Sequence, residues 1–181
     1  MKVTPTALPE VLVIEPRVFG DERGFFFESF NRRDFALAAG VEAEFVQDNH
    51  SHSVKGVLRG LHYQIRQPQG KLMHVVQGRI FDVAVDIRRS SPTFKRWVGI
   101  ELTGRDHKQL WTPPGFAHGF VVLSETAEVF YKVTDYYAPE HERGIRWDDP
   151  DLAIEWPALP SIVLSQRDQD APFLSSCELP S

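Results

Sequence analysis

The feature that most constrains this chain is a succession of short apolar segments, each bounded by Gly, Pro, Asp or Asn. They are Val11–Ile14, Gly24–Phe30, Glu44–Gln47, Gly56–Gln64, Lys71–Val76, Ile80–Ile87, Trp97–Leu102, Gln109–Thr112, Gly119–Leu123 and Ala127–Thr134. Each has the length and punctuation of a strand. Several alternate: in Ile80–Ile87, the residues Phe81, Val83, Val85 and Ile87 form one apolar face, opposed by Asp82 and Asp86. Many short strands at near-regular spacing predict an all-β sandwich or barrel, with jelly rolls among the options. The 13 Phe, 4 Trp and 4 Tyr fit that expectation, because pleated faces suit aromatics.

One helix is expected over Arg32–Ala39, capped by Asn31 or a neighbour and ended by Gly40. A second, short helix is expected to start at Ser165. The stretch Thr134–Trp147 is polar and charged and reads as a surface loop, and Pro157 and Pro160 punctuate an irregular C-terminal segment. With no repeat, low-complexity tract or linker, a single domain over residues 1–181 is expected.

The net charge of −5 removes any general attraction for nucleic acid or an anionic membrane, so an anionic ligand needs a local cluster of arginines. Cys177 is the only cysteine, which excludes an intrachain disulfide and a cysteine-rich metal site. Met1-Lys2-Val3-Thr4-Pro5 lacks the apolar core of a signal peptide, and no run approaches the ~18 apolar residues of a spanning helix. A cytoplasmic location is the expectation.

Histidines stand at 50, 52, 62, 74, 107, 118 and 141, and clustered histidines in a barrel first suggest a metal. Pro113-Pro114-Gly115-Phe116-Ala117-His118 resembles the second metal-binding motif of cupins, P-x-G-x-x-H. Gly56 and His62 fit the opening of the first motif, but its second histidine position is Gln64. Its acidic position aligns best with Lys71, whose ammonium would repel a dication. The architecture reads as cupin-like with the metal lost.

The segments Arg17–Glu28, Phe45–Ser51, Val57–Gln64, Gly70–Leu72, Pro114–Phe120 and Tyr131–Glu140 resemble, in that order, the motifs of the dTDP-4-dehydrorhamnose 3,5-epimerase family. The likeness runs from about residue 10 to about residue 174. It implies a jelly-roll barrel, usually a homodimer, that needs no cofactor and acts on a dTDP-linked 4-keto-6-deoxyhexose. In such a sugar the C4 carbonyl acidifies the hydrogens on C3 and C5, since either carbanion delocalises as an enolate. Epimerisation needs a base on one face, an acid on the other and a cation at the developing oxyanion.

By this resemblance His62 is the base, a role imidazole suits at neutral pH; without the motif it would read as an inert wall residue. Asp168 matches the carboxylate that orients it, although Ser165-Gln166-Arg167-Asp168 also reads as a capping box and the two roles can coexist. Tyr131 matches the acid, while its spacing with Val129 and Val133 equally fits a core position. Lys71, aided by Arg59, matches the enolate-stabilising cation, and His118 joins the same polar pocket. In strict two-residue alternation Arg59 and His62 face opposite ways, unless Gly60 hosts a bulge.

The resemblance further implies that Arg23, Arg59 and Arg167 surround the phosphates, where relatives often carry lysine in place of Arg167. A solvated surface is the plainer reading of these arginines. Glu28, Gln47, Asp48 and Asn49 resemble the stretch that contacts nucleotide and sugar, Tyr137 an aromatic that stacks on thymine, and Glu142 joins the substrate-binding set. Three alternatives stay open at this point: inversion of only C3 or only C5, a metal-dependent cupin enzyme, and a non-catalytic sugar-binding jelly roll.

Overall fold

The computed structural model describes residues 1–180. Thirteen strands form two main sheets and a small hairpin. The six-stranded sheet has the order β1 (Lys2–Pro5), β2 (Leu12–Glu15), β10 (Gln109–Thr112), β7 (Lys71–Gln77), β12 (Thr126–Val133) and β5 (Gln47–Val54). The five-stranded sheet runs β13 (Glu142–Gly144), β6 (Leu58–Gln64), β11 (Phe116–Val122), β8 (Arg79–Asp86) and β9 (Trp97–Thr103). From β5 onward the chain passes repeatedly from one sheet to the other, and neighbours within each sheet are antiparallel. This is a jelly roll, and the fold expectation holds.

Inward-facing residues of the two sheets, among them Met73, Val75, Ile80, Ala84, Leu102, Leu110, Phe120 and Val129, form the central core. The outer face of the six-stranded sheet is covered by α1 (Arg32–Ala39), whose Phe35 packs on Leu12, Ile14, Leu72 and Trp111. That helix forms as expected: Asn31 accepts a hydrogen bond from the Asp34 amide, and Gly40 closes it at φ 65°. The outer face of the five-stranded sheet is covered by the C-terminal segment, through Ile145, Leu152, Leu174 and Cys177. Both faces of β8 are therefore buried, and the Asp82 and Asp86 face points into the barrel.

Several strand boundaries differ from expectation. Glu44–Val46 is irregular, and the strand runs over Gln47–Val54, where polar residues fill both faces. Only Gly24–Phe26 of the expected aromatic strand is extended; this is β4, paired with β3 (Phe19–Asp21) in a two-stranded hairpin. The hairpin leaves Phe25 and Phe26 65% and 67% exposed. The polar stretch 134–147 is not all loop, because β13 adds to the edge of β6.

Candidate active site

Two glycines shape the strand that carries the site. Between the pairs His62–His118 and Phe120–Arg59, β6 has one residue more than β11, a bulge. Gly60 sits at φ +116°, and a Cβ there would stand 2.7 Å from both Gly119 Cα and the His118 carbonyl oxygen. A Cβ on Gly119 would meet the Arg59 carbonyl oxygen at 2.7 Å, so the two backbones approach only because both are glycine. The bulge turns Arg59 and His62 toward one cleft, which answers the conflict of alternation.

That cleft, of about 440 Å³, opens between the sheets. The five-stranded sheet contributes Arg59, His62 and His118; the six-stranded sheet contributes Ser51, Lys71, Met73 and Tyr131. The third wall is α2 (Gln166–Gln169) with Ser165, Arg167 and Asp168. Pairing of Val163 with the start of β6, through the Leu58 amide to the Val163 carbonyl (3.0 Å), lays this helix beside His62.

The Nε2–H of His62 donates to Asp168 Oδ1 at 2.6 Å. The Asp168 side chain is 6% exposed and that of His62 28%, so the carboxylate sits behind the ring. Ser165 accepts from the Asp168 amide (3.1 Å) and donates its hydroxyl to Asp168 Oδ2 (2.8 Å). Cap and imidazole partner thus coexist in one residue. Burial pushes the Asp168 carboxyl upward, but the hydrogen bond and charge of His62 outweigh it, with help from Ser165 and Arg167, and the carboxyl ends below its usual range.

Tyr131 stands on the sheet opposite His62. Burial raises its phenol above the ordinary tyrosine value; nearby Arg59 opposes the shift and Glu142 adds to it. The phenol is therefore a proton donor across the neutral range. Lys71 faces the barrel interior in the same inward row of β7 as Met73, and burial lowers its ammonium to about 8 against the pull of Glu142 and Asp82. Arg59 donates to Ser53 Oγ at 3.0 and 3.1 Å.

At the cleft rim Glu142 Oε2 accepts from Arg167 and from the Tyr137 hydroxyl, each at 2.6 Å. Burial raises the Glu142 carboxyl, but these two bonds and the charge of His62 bring it below its usual value. The Tyr137 amide donates to Gln47 (3.1 Å), whose side chain in turn donates to Asn49 (2.9 Å). Three expected site residues lie elsewhere. Asp48 points to the other face of β5, where it meets Lys132 (2.9 Å); Glu28 meets Asn31 (3.3 Å); Arg23 pairs with Asp21 (2.5 Å) on the exposed hairpin.

Gln64 fills the second-histidine position of a metal cupin as a structural amide. It accepts from the Ala138 amide (2.8 Å) and donates to the carbonyls of Gln67 (2.7 Å) and Tyr136 (3.2 Å). Among the described residues no three His, Cys, Asp or Glu side chains group as metal ligands.

A family model described as dTDP-4-dehydrorhamnose 3,5-epimerase matches residues 5–176. The chain belongs to that family. A dTDP-4-dehydrorhamnose 3,5-epimerase of Pseudomonas aeruginosa is 61% identical over 169 residues, covering 93% of each chain. One from Salmonella typhimurium is 54% identical over 180 residues, covering 99% of this chain and 98% of the other. The crystal structure of dTDP-6-deoxy-D-glucose-3,5-epimerase from Legionella pneumophila Philadelphia 1, in complex with dTDP-4-keto-L-rhamnose, aligns with a TM-score of 0.97 at 52% identity. That alignment covers 99% of this chain and 97% of the other.

Within this epimerase fold, sequence reasoning missed two polar residues of the site, one lining the cleft and one behind it. Ser51 lines the cleft with an unpartnered buried Oγ. Asp82, fully buried, accepts from His118 Nε2 at 2.6 Å. The signal for Asp82 was available: its strand face holds Ile80 and Ala84 as well, too apolar to be a solvated side.

Proposed function

We propose that this protein inverts C3 and C5 of dTDP-4-dehydro-6-deoxy-D-glucose, giving dTDP-4-dehydro-L-rhamnose for L-rhamnose and surface-polysaccharide synthesis. The observation that carries the reading is the His62–Asp168 pair joining β6 to α2, with the Tyr131 phenol on the sheet opposite His62 and the Lys71 ammonium in the same cleft. His62 removes a proton from the carbon beside the ketone, and Asp168 steadies the imidazolium that results. Lys71 and Arg59 stabilise the enolate oxygen. Tyr131 returns a proton from the opposite face, which inverts the centre. Arg59 and Arg167 suit the diphosphate, Tyr137 stacks on the thymine, and Gln47, Asn49 and Glu142 hold the nucleotide end. Incubation with substrate in deuterated water tests the reading: deuterium should enter both C3 and C5 of an inverted product. A product inverted at one carbon alone would make the protein a mono-epimerase.

The pH dependence should expose Lys71. It must be charged to hold an enolate, and its ammonium titrates at about 8, below the raised Tyr131. kcat/KM should therefore fall as pH rises through about 8, and Lys71→Arg should move that limb upward because guanidinium stays charged. A limb unmoved in an active Lys71→Arg variant would assign it to another group.

The reading includes a homodimer in the cytoplasm. The exposed hairpin, with Phe19, Phe25 and Phe26 bare, suits burial against a second copy. It also carries Arg23, which does not reach its own cleft, so pairing would deliver that guanidinium and Glu28 to the partner's nucleotide end. Light scattering should give twice the chain mass of 20.7 kDa, and replacing Phe25 and Phe26 by serine should shift the protein toward the monomer. A monomeric parent protein at micromolar concentration would reject the dimer.

A further inference from the structure

Two fully buried aspartates lie four residues apart on the inner face of β8, and they differ. Asp86 is saturated. Arg88, Ser91 and Thr93 donate to its oxygens at 2.5–2.9 Å, and its carboxyl is held down at about 2. Asp86 pins the 88–93 turn, a structural task. Asp82 makes a single side-chain hydrogen bond, from His118 at 2.6 Å, and its Oδ2 has no partner. A buried carboxylate with an unpaired oxygen costs stability, and an apolar residue beside Ile80 and Ala84 would pack without that cost. The fold gives no reason for this side chain.

The cleft gives one. His118 lines it and stands directly opposite His62 in the β6–β11 pairing. Asp82 pairs with Phe120 and His118 with Ala84, so the two side chains meet on the strand diagonal. Because a carboxylate only accepts, its partner nitrogen Nε2 carries a hydrogen, which leaves Nδ1 for the cleft. Orienting carboxylates behind functional imidazoles set ring plane and tautomer in this way. We infer that Asp82 is a positioning residue of the reaction, holding the His118 ring in one orientation and tautomer against the bound sugar. The inference rests on the epimerase reading and adds a second carboxylate–imidazole pair to it, beside His62–Asp168.

The test is Asp82→Asn in the full-length protein, which keeps shape and removes charge. Its kcat should fall about 10–100-fold, the range by which outer partners of functional histidines act. KM and dTDP affinity should stay within about twofold, because only the orientation of a ring near the reacting carbons is disturbed. His118→Gln should show a loss of the same size, and the double variant should be no slower than His118→Gln alone, since one residue acts through the other. Wild-type turnover in Asp82→Asn, or a double variant whose loss is the product of the two single losses, would overturn the inference. If Asp82→Asn does not fold, His118→Gln decides: folded and fully active, it sinks the proposal, and slowed in kcat alone, it supports it. A wild-type protein without exchange at C3 or C5 would remove the epimerase reading itself, a distinguishable failure.

Discussion

His62→Ala should abolish both solvent exchange and epimerisation, whereas Tyr131→Phe should keep exchange and lose inversion. The contrast follows from their placement on opposite sheets of one cleft. Without the imidazole no group is poised to remove the carbon-bound proton, so rates should drop by at least the ~10²–10⁴ that general bases supply. Tyr131→Phe preserves ring volume in a strand whose neighbours Val129 and Val133 are buried, so the barrel should fold normally. The enolate then forms, but only His62 can return a proton, from the face it left. Deuterium should therefore appear at C3 or C5 with the starting configuration retained. Normal inversion by the phenylalanine variant would exclude Tyr131 as the acid. Loss of exchange in a folded variant that still binds dTDP would instead move Tyr131 to the deprotonation step.

The second large effect concerns Asp168, which serves both the ring and the helix. Asp168→Asn keeps an oxygen for the Ser165 hydroxyl and leaves the Ser165 cap to the amide intact, so stability should change little. What it loses is the charge behind His62, 2.6 Å away, and kcat should fall about 10²–10⁴-fold, as for carboxylates behind other catalytic imidazoles. Ser165→Ala is the complement. It deletes the cap, at about 1 kcal/mol of stability, while the His62 bond remains and turnover per folded molecule changes far less. Denaturant titration and steady-state kinetics on the pair separate the two roles. Equal loss of turnover in both variants would mean that the cap, through helix position, governs the base.

Much of the site was legible because its residues sit in short motifs with local signatures. The capping reading at Ser165 and the helix from Arg32 to Ala39 follow from chain-local chemistry, whereas the bulge at Gly60 also needs Gly119 on β11. What escaped was set by distant packing. β5 hides because Gln47, Asn49, Ser51 and Ser53 turn inward to polar surroundings while Asp48, His50 and His52 face out, so no hydrophobic period marks it. β13 hides in a charged stretch because edge pairing with β6, not burial, makes it a strand. Asp82 escaped because the row Phe81, Val83, Val85 and Ile87 reads as the core face, whereas the C-terminal segment covers that row and the Asp82 face turns into the barrel. The positions of Arg23 and Asp48, away from the cleft, depend on the tertiary path of the hairpin and on which face of β5 turns inward.

The weaving of the chain between sheets has a kinetic consequence. The bond between His62 and Asp168 closes a span of 106 residues, and strands β7 to β13 lie inside that span. Such closure carries a loop-entropy penalty that is recovered only when the intervening sheets are already in place. A nascent or refolding chain can thus gain its barrel before it gains a working base. Catalytic competence should arrive last, when residues near the C-terminus dock against a strand made from the first third of the chain.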